Sequence, residues 1–202
     1  MTEPTDEMLV ERFRQGDQSA FELLVIRYEQ TVYNLAYRLT GNQEDAFDLA
    51  QEAFLKVYRS LRRFRGQSAF STWIYRIVTN CFYDQVRKQK RRASIAFSLD
   101  AAIPTEEGEL NREWPSLEAG PEDISLQQEL ARVVQAALLD LTPEYRLALV
   151  LRDLHGYTYD EIARITDCNL GTVKSRISRA RSALRARLQD EELLEAFRRQ
   201  RD

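Results

Sequence analysis

Two cysteines, one histidine and no apolar run longer than five residues set the first limits on this 202-residue chain. Leu147–Leu151 is that longest run, far short of the roughly 20 residues needed to span a bilayer. Met1-Thr2-Glu3-Pro4 has neither a basic patch nor an apolar stretch, so no signal peptide is expected and the chain reads as cytoplasmic. Cys81 and Cys168 stand in dissimilar surroundings, which gives no disulfide framework and no zinc spacing. With His155 alone, metal-ligand clusters and histidine-based acid–base catalysis are not expected, and no cofactor or metal is read from the sequence. The composition, 44% hydrophobic and 30% charged, fits a soluble globular protein rather than a disordered one.

The net charge of −3 conceals a segregation. Residues 1–92 carry 15 basic and 12 acidic side chains, residues 93–124 one Arg against eight acids, and residues 125–202 13 against 12. Two blocks are strongly cationic. Arg87-Lys88-Gln89-Lys90-Arg91-Arg92 has five cations in six residues, and Lys174 to Arg187 has six with no acid. Local excess of this kind is the electrostatic footprint of a polyanion partner, even in a chain that is acidic overall.

The periodicity is helical throughout. Phe21, Leu24, Val25, Tyr28, Val32, Leu35, Ala36 and Leu39 form one stripe. Ala46, Phe47, Ala50, Ala53, Phe54, Val57, Tyr58 and Leu61 form a second. Trp73, Ile74, Ile77, Val78, Cys81 and Phe82 form a third, in which Cys81 reads as a buried small hydrophobe. Residues 93–124 break the pattern with Pro104, Gly108, Pro115, Gly120 and Pro121, and read as a flexible acidic linker. Helices resume at Ser125-Leu126-Gln127-Gln128, a capping-box pattern, and again at Thr142-Pro143. The fold class read here is all-α: two small helical domains, 1–92 and 125–190, joined by the linker and followed by a tail, 191–202. Leu193, Leu194 and Phe197 in that tail have helical spacing.

The second domain carries the most specific pattern. Thr158-Tyr159-Asp160-Glu161 is a capping box opening a short helix, Asp167-Cys168-Asn169 suits a turn, and Leu170 onward opens a longer cationic helix. Its apolar face is Val173, Ile177, Ala180 and Leu184, and small Ala163 lets the two helices approach. A short helix, a tight turn and a longer cationic helix make a helix-turn-helix, whose second helix enters the major groove. Lys174, Ser175, Ser178 and Arg179 fall off the apolar face, where bases and phosphates are in reach.

Gly156-Tyr157-Thr158-Tyr159-Asp160-Glu161-Ile162-Ala163, with Gly171-Thr172-Val173-Lys174-Ser175-Arg176 and Arg179-Ala180-Arg181, resembles region 4 of bacterial sigma factors. Asp48-Leu49-Ala50-Gln51-Glu52-Ala53-Phe54, Phe64-Arg65-Gly66, and Phe70 through Ile77 with Asn80 resemble region 2. Both occur in order, without region 1.1 or region 3, which is the layout of the extracytoplasmic-function group. The resemblance implies binding to bacterial core RNA polymerase, through its β′ clamp helices and its β flap. It implies a clamp-docking surface at Asp48, Gln51, Glu52 and Lys56, which share one helix face. It implies recognition of the −10 element as single-stranded DNA by Phe64, Arg65, Gly66, Ser68, Phe70, Arg76, Asn80, Tyr83 and Arg87, with Tyr75 as a further stacking residue. A loop with Gly and small residues between aromatics suits a flipped base, and the Asn80 amide offers both a donor and an acceptor.

The −35 element would be read as duplex by Thr172, Lys174, Ser175, Ser178 and Arg179, with Arg176 and Arg181 toward the phosphates. Ser178 departs from the bulky side chain that some relatives carry there. An anti-sigma partner is implied as well, and no membrane insertion. Two other classes compete. A stand-alone helix-turn-helix regulator would need a dimerisation or ligand domain in place of the N-terminal half. A nucleic-acid enzyme would need convergent carboxylates or metal ligands; Asp45 and Asp48 are merely three residues apart on one helix, and His155 suits a helix C-terminus.

Overall fold

The computed structural model describes residues 3–98 and 131–188, with the side chains of 93–98 left aside. The linker residues 99–124, the Ser125–Gln128 capping pattern and the tail 191–202 lie outside the described residues. Among those described, all regular structure is helical.

Helix α1 spans Asp6–Arg14, where the Thr5 side chain accepts the Met8 amide; acids fill its first turn and arginines its last. It buries Leu9, Val10 and Phe13. Helix α2, Ser19–Thr40, ends at Gly41 in a left-handed conformation, φ 84°, whose amide closes on the Tyr37 carbonyl. A Cβ there would lie 2.3 Å from Leu139 Cδ1, so Gly41 serves both the cap and a close approach by the second domain. Helix α3, Gln43–Ser60, is capped by Asn42, whose side chain accepts the Asp45 amide at 2.7 Å.

A short 3₁₀ turn, Leu61–Arg63, leads into a loop and then α4, Phe70–Ser98. Helix α4 therefore continues six residues into the stretch read from sequence as linker.

In the second domain, α5 covers residues 131–139 and α6 is Pro143–Leu149, with Thr142 at the cap and Pro143 in the first turn. The Thr142 side chain makes no capping hydrogen bond, so Pro143 carries the start signal. A π-helical turn, Val150–Leu154, follows and closes with the His155 amide on the Val150 carbonyl. Helix α7, Tyr159–Thr166, opens with the full capping box of Thr158 and Glu161. Asp167 adopts φ 53°, and α8 runs from Leu170 to Leu188. Asn169 supplies the α8 cap, its Oδ1 accepting the Thr172 amide at 2.8 Å and the Thr172 hydroxyl at 2.9 Å.

The two domains pack together. Their buried residues form one contiguous apolar cluster, from Leu9 and Leu24 through Leu138 and Leu151 to Ile162 and Ile177. Cys81 is fully buried in it, as its stripe predicts. Arg146 ties the halves: its guanidinium donates to the carbonyls of Leu138, Leu139 and Leu141 in its own domain and of Leu39 in α2. Gln135 adds donations to the Tyr37 and Arg38 carbonyls, both at 3.3 Å, and accepts from Arg38 at 3.0 Å. Side chains of the other domain thus satisfy the Arg38 and Leu39 carbonyls at the C-terminus of α2, and give the Tyr37 carbonyl, which already accepts the Gly41 amide, a second donor.

Candidate nucleic-acid interface

The helix face of Asp48 and Gln51 is exposed, whereas Glu52 and Lys56 are half-buried. Lys56 Nζ lies 3.0 Å from Glu52 and 3.3 Å from Asp84 of α4, so it joins two helices as well as decorating a surface. Burial works against its charge, but hydrogen bonding to Glu52 and the neighbouring Cys81 hold its pKa above the ordinary lysine value. Beside Gln51 the α2–α3 seam opens into a groove of about 650 Å³, lined by Phe21, Val25, Tyr33, Phe47, Phe54 and Leu55. Phe47 and Tyr58, which the second stripe places in the core, are 50% and 44% exposed. The reason is geometric: α3 packs through the narrow line Ala46, Leu49, Ala50, Ala53 and Val57, and eight apolar residues are more than that line can bury. Leu55, in its lining, is 55% exposed.

The loop between the 3₁₀ turn and α4 is held from below. Phe64 and Phe70 are buried, at 6% and 2% exposure, and stack edge-on with ring centroids 5.7 Å apart. Trp73 joins them at 4.9 Å from Phe64 and 5.6 Å from Phe70. The Phe64 and Phe70 rings therefore support the loop and present no open face to solvent, while Trp73 is half-buried. Arg14 of α1 donates to the Phe64 carbonyl, a tie across 50 residues that no local pattern announces. Gly66 takes φ 67° at the loop apex, where only glycine is unstrained.

Above the ring cluster lies a cavity of about 350 Å³ lined by Arg63, Phe64, Arg65, Gln67, Ser68, Thr72, Trp73, Arg76 and Arg164. Four arginines and one half-buried indole suit an unstacked base with its phosphates. Arg76 and Asn80 are exposed one turn apart on α4, and Arg87 is exposed but 2.5 Å from Asp84. Tyr83 is half-buried, its pKa pushed up to about 12 by burial.

On α8, Lys174, Ser175, Ser178, Arg179 and Arg181 are exposed, while Thr172 and Arg176 are half-buried. Thr172 is engaged by its cap, and Ser175 donates back to the Thr172 carbonyl at 2.9 Å. Arg176 turns inward to Cys168 Sγ at 3.6 Å, Arg179 reaches the Tyr145 hydroxyl at 3.4 Å, and Arg181 makes a two-pronged pair with Asp153 at 2.5 and 3.0 Å. Lys174, Ser175, Ser178 and Arg179 thus share an outward face, and Arg181 is held at its edge.

His155 does more than end a helix. Its Nδ1 is 3.1 Å from the Tyr75 hydroxyl of α4, and Tyr75 also packs edge-on against Tyr157 at 5.1 Å. Burial, then the charge of Arg38, lower the His155 pKa below 6.5. Among the described residues no helix is long and apolar enough to cross a membrane.

Comparison with known proteins assigns these elements. Sigma-70 region 2 matches residues 24–92 and sigma-70 region 4 matches residues 131–184. The ECF RNA polymerase sigma-E factor of Escherichia coli K12 is 43% identical over 185 residues, 92% of this chain and 95% of that one. The RNA polymerase sigma-H factor of Pseudomonas aeruginosa is 38% identical over 191 residues, 94% of this chain and 96% of that one. Among solved structures, the sigma factor RpoE bound to the anti-sigma factor NepR, from Bartonella quintana, matches with a TM-score of 0.65 and 26% identity, covering 84% and 97% of the two chains. CnrH in complex with the cytosolic domain of CnrY matches with a TM-score of 0.64 and 25% identity, over 91% and 96%. With a region 2, a region 4 and relatives aligned over nearly their whole length, the chain belongs to the extracytoplasmic-function sigma factors, which direct RNA polymerase to promoters.

Proposed function

We propose that the α2–α3 face docks core RNA polymerase, the α4 face with its preceding loop takes the −10 non-template strand, and α8 reads the −35 duplex. Asp48 and Gln51 would meet the β′ clamp helices beside the apolar groove, with Glu52 and Lys56 buttressing that face. Region 4 would also contact the β flap. The loop cavity would hold an unstacked base among Arg65, Ser68 and Trp73, with Gly66 giving the backbone its turn and Phe64 and Phe70 setting its floor. Arg76, Asn80, Tyr83 and Arg87 would line the path along α4. Unstacking costs a few kcal/mol and stacking on an aromatic returns roughly 1–3 kcal/mol per base, so opening needs no ATP from this chain.

The polymerase supplies the chemistry; this chain acts in the cytoplasm and is not itself an enzyme. An anti-sigma protein that covers the docking and DNA faces would hold it in reserve, as the NepR complex of its structural relative suggests. The observation that carries the reading is the arginine-lined cavity on region 2 together with the outward Lys174–Arg179 face on region 4. Co-migration with core polymerase on a sizing column tests it. Wild type is expected to co-elute, and Asp48→Arg with Glu52→Arg is expected to stay free. A wild type that never joins core would instead favour a stand-alone operator-binding regulator.

A further inference from the structure

The loop proposed above to take an unstacked base has little to hold it from within. Among the described residues, the backbone of 65–68 takes part in no hydrogen bond. Its shape therefore follows from where its two ends are fixed, and both ends are tied to α1. Arg14, the last residue of α1, donates to the Phe64 carbonyl, where the backbone leaves the 3₁₀ turn in an extended conformation, φ −62° and ψ 119°. At the other end Phe70 packs edge-on against Tyr28 of α2, with ring centroids 5.3 Å apart. The Tyr28 hydroxyl donates to Asp6, the first residue of α1, and Arg27 holds the other Asp6 oxygen at 2.5 Å.

Helix α1 is a stiff spacer between those ties. Asp6 and Arg14 stand eight residues apart, about 12 Å at 1.5 Å per residue. Leu9 and Val10 are buried beneath the helix, and the Phe13 ring lies 5.4 Å from Tyr58 of α3 and 5.9 Å from Phe21 of α2. The helix is thus seated on the body that carries the loop, and the Arg14 bond is of the stronger, charge-assisted kind. An acid at the start and an arginine at the end also suit the helix dipole, but the dipole alone would not aim Arg14 at a carbonyl 50 residues away. The whole of α1 precedes residues 24–92, the stretch that matches sigma-70 region 2.

We propose that α1 sets the shape of the −10 base pocket: Arg14 fixes the entry of the loop and Asp6, through Tyr28, fixes its exit, both as positioning residues that touch no DNA. The inference rests on the −10 role proposed for the loop. A pocket selects one base over another by a difference of affinities, and that difference survives only while the contacting groups are held to about 0.5 Å. Slackening either tie lets Arg65 and Ser68 adapt to bases that they would otherwise reject. Selectivity then falls further than binding.

The test measures open-complex formation by the holoenzyme on a promoter it transcribes, with each of the four bases placed in turn at each −10 position. Arg14→Met keeps the length of the side chain and removes its donors. It is expected to lower the preference for the favoured base at the unstacked position at least fivefold, with core affinity and selectivity at −35 unchanged. Arg14→Lys, which keeps a donor, is expected to recover most of that preference. Arg12→Gln, on the same helix but paired with Asp17, is expected to match wild type. A merely structural role predicts the opposite pattern, an equal loss on all four bases with their ratio preserved, and that result overturns the proposal. Should Arg14→Met fail to melt cooperatively, Tyr28→Phe decides: it keeps the ring on Phe70, loses only the link to Asp6, and must lower the same preference. Arg65→Ala and Ser68→Ala separate the two levels of the argument. If they lower the preference and Arg14→Met and Tyr28→Phe do not, α1 is not a positioning element; if they leave it unchanged, the loop does not read the base and both readings fall.

Discussion

Asn80 and His155 show how differently single polar side chains can be legible. Asn80 stands exposed on α4, off the buried line of Ile74, Val78 and Cys81, where nothing in the fold needs it. Asn80→Ala is therefore expected to leave core binding and melting temperature unchanged while lowering open-complex formation at least tenfold, read by permanganate footprinting. Equal loss of core binding would remove it from the −10 path. His155 reads from sequence as a helix-end residue, because its partner Tyr75 is 80 residues away and only the fold brings them together. Its pKa is lowered by burial and by Arg38, so the folded chain holds it neutral while the unfolded chain takes up a proton below pH 6.5. Stability is expected to be flat above that pH and to fall as the pH drops below it. Asp17, Asp84 and Glu161, all with lowered pKa values, lose their stabilising charge only below about pH 4, a separate window. Thermal melts across pH 7 to 5 should show the first slope in wild type and its loss in His155→Gln. An identical slope in both would mean that His155 titrates freely.

At the scale of elements, the caps carry most of what the sequence says plainly. Thr158 and Glu161 form the expected box, and the two-sided hydrogen bonding lowers the Glu161 pKa as it fixes the start of α7. Thr158→Ala is expected to cost about 1 kcal/mol, seen in chemical denaturation. The Pro143 helix start, the Asp167–Asn169 turn and the α8 stripe are legible for the same reason: proline at a first turn, capping and 3.6-residue periodicity are local properties. The α3 stripe misleads because an apolar residue on a helix says nothing about whether a neighbour covers it. Phe47 and Tyr58 have the spacing of core residues and are about half exposed, Tyr58 with one side of its ring against Phe13 and Phe21. The α8 face illustrates a further limit, since six cations in fourteen residues look equivalent in sequence. In the fold Arg176 and Arg181 are held by Cys168 and Asp153, and Lys174 and Arg179 face outward. Lys174→Ala with Arg179→Ala should weaken −35 duplex binding and flatten its salt dependence by about two units of log–log slope. A slope equal to wild type would take both residues off the DNA.

For the molecule as a whole, charge segregation and the proline-rich interval mark two domains, but nothing in them tells how the domains meet. The contacts that settle it are long-range and chemically ordinary: an arginine on carbonyls, a glutamine on carbonyls, a glycine with no Cβ to obstruct Leu139. Arg146 is the most consequential of these, because one guanidinium serves carbonyls in α2 and around the end of α5. Arg146→Leu keeps much of the side-chain volume and removes every donor. The Leu138, Leu139 and Leu141 carbonyls then lose partners within region 4, at about 1–3 kcal/mol for each one left buried and unsatisfied. The Leu39 carbonyl loses its link to the other domain, whereas the region 2 core of Leu24, Leu35, Val57 and Ile74 is untouched. Calorimetry of the wild type is expected to show one transition, since the two domains share a continuous apolar cluster. Arg146→Leu is expected to split it, with a low-temperature component from region 4 and a later one near the wild-type midpoint. A single transition merely shifted downward would mean that the shared apolar contacts alone couple the domains, and that Arg146 serves region 4 without joining it to region 2.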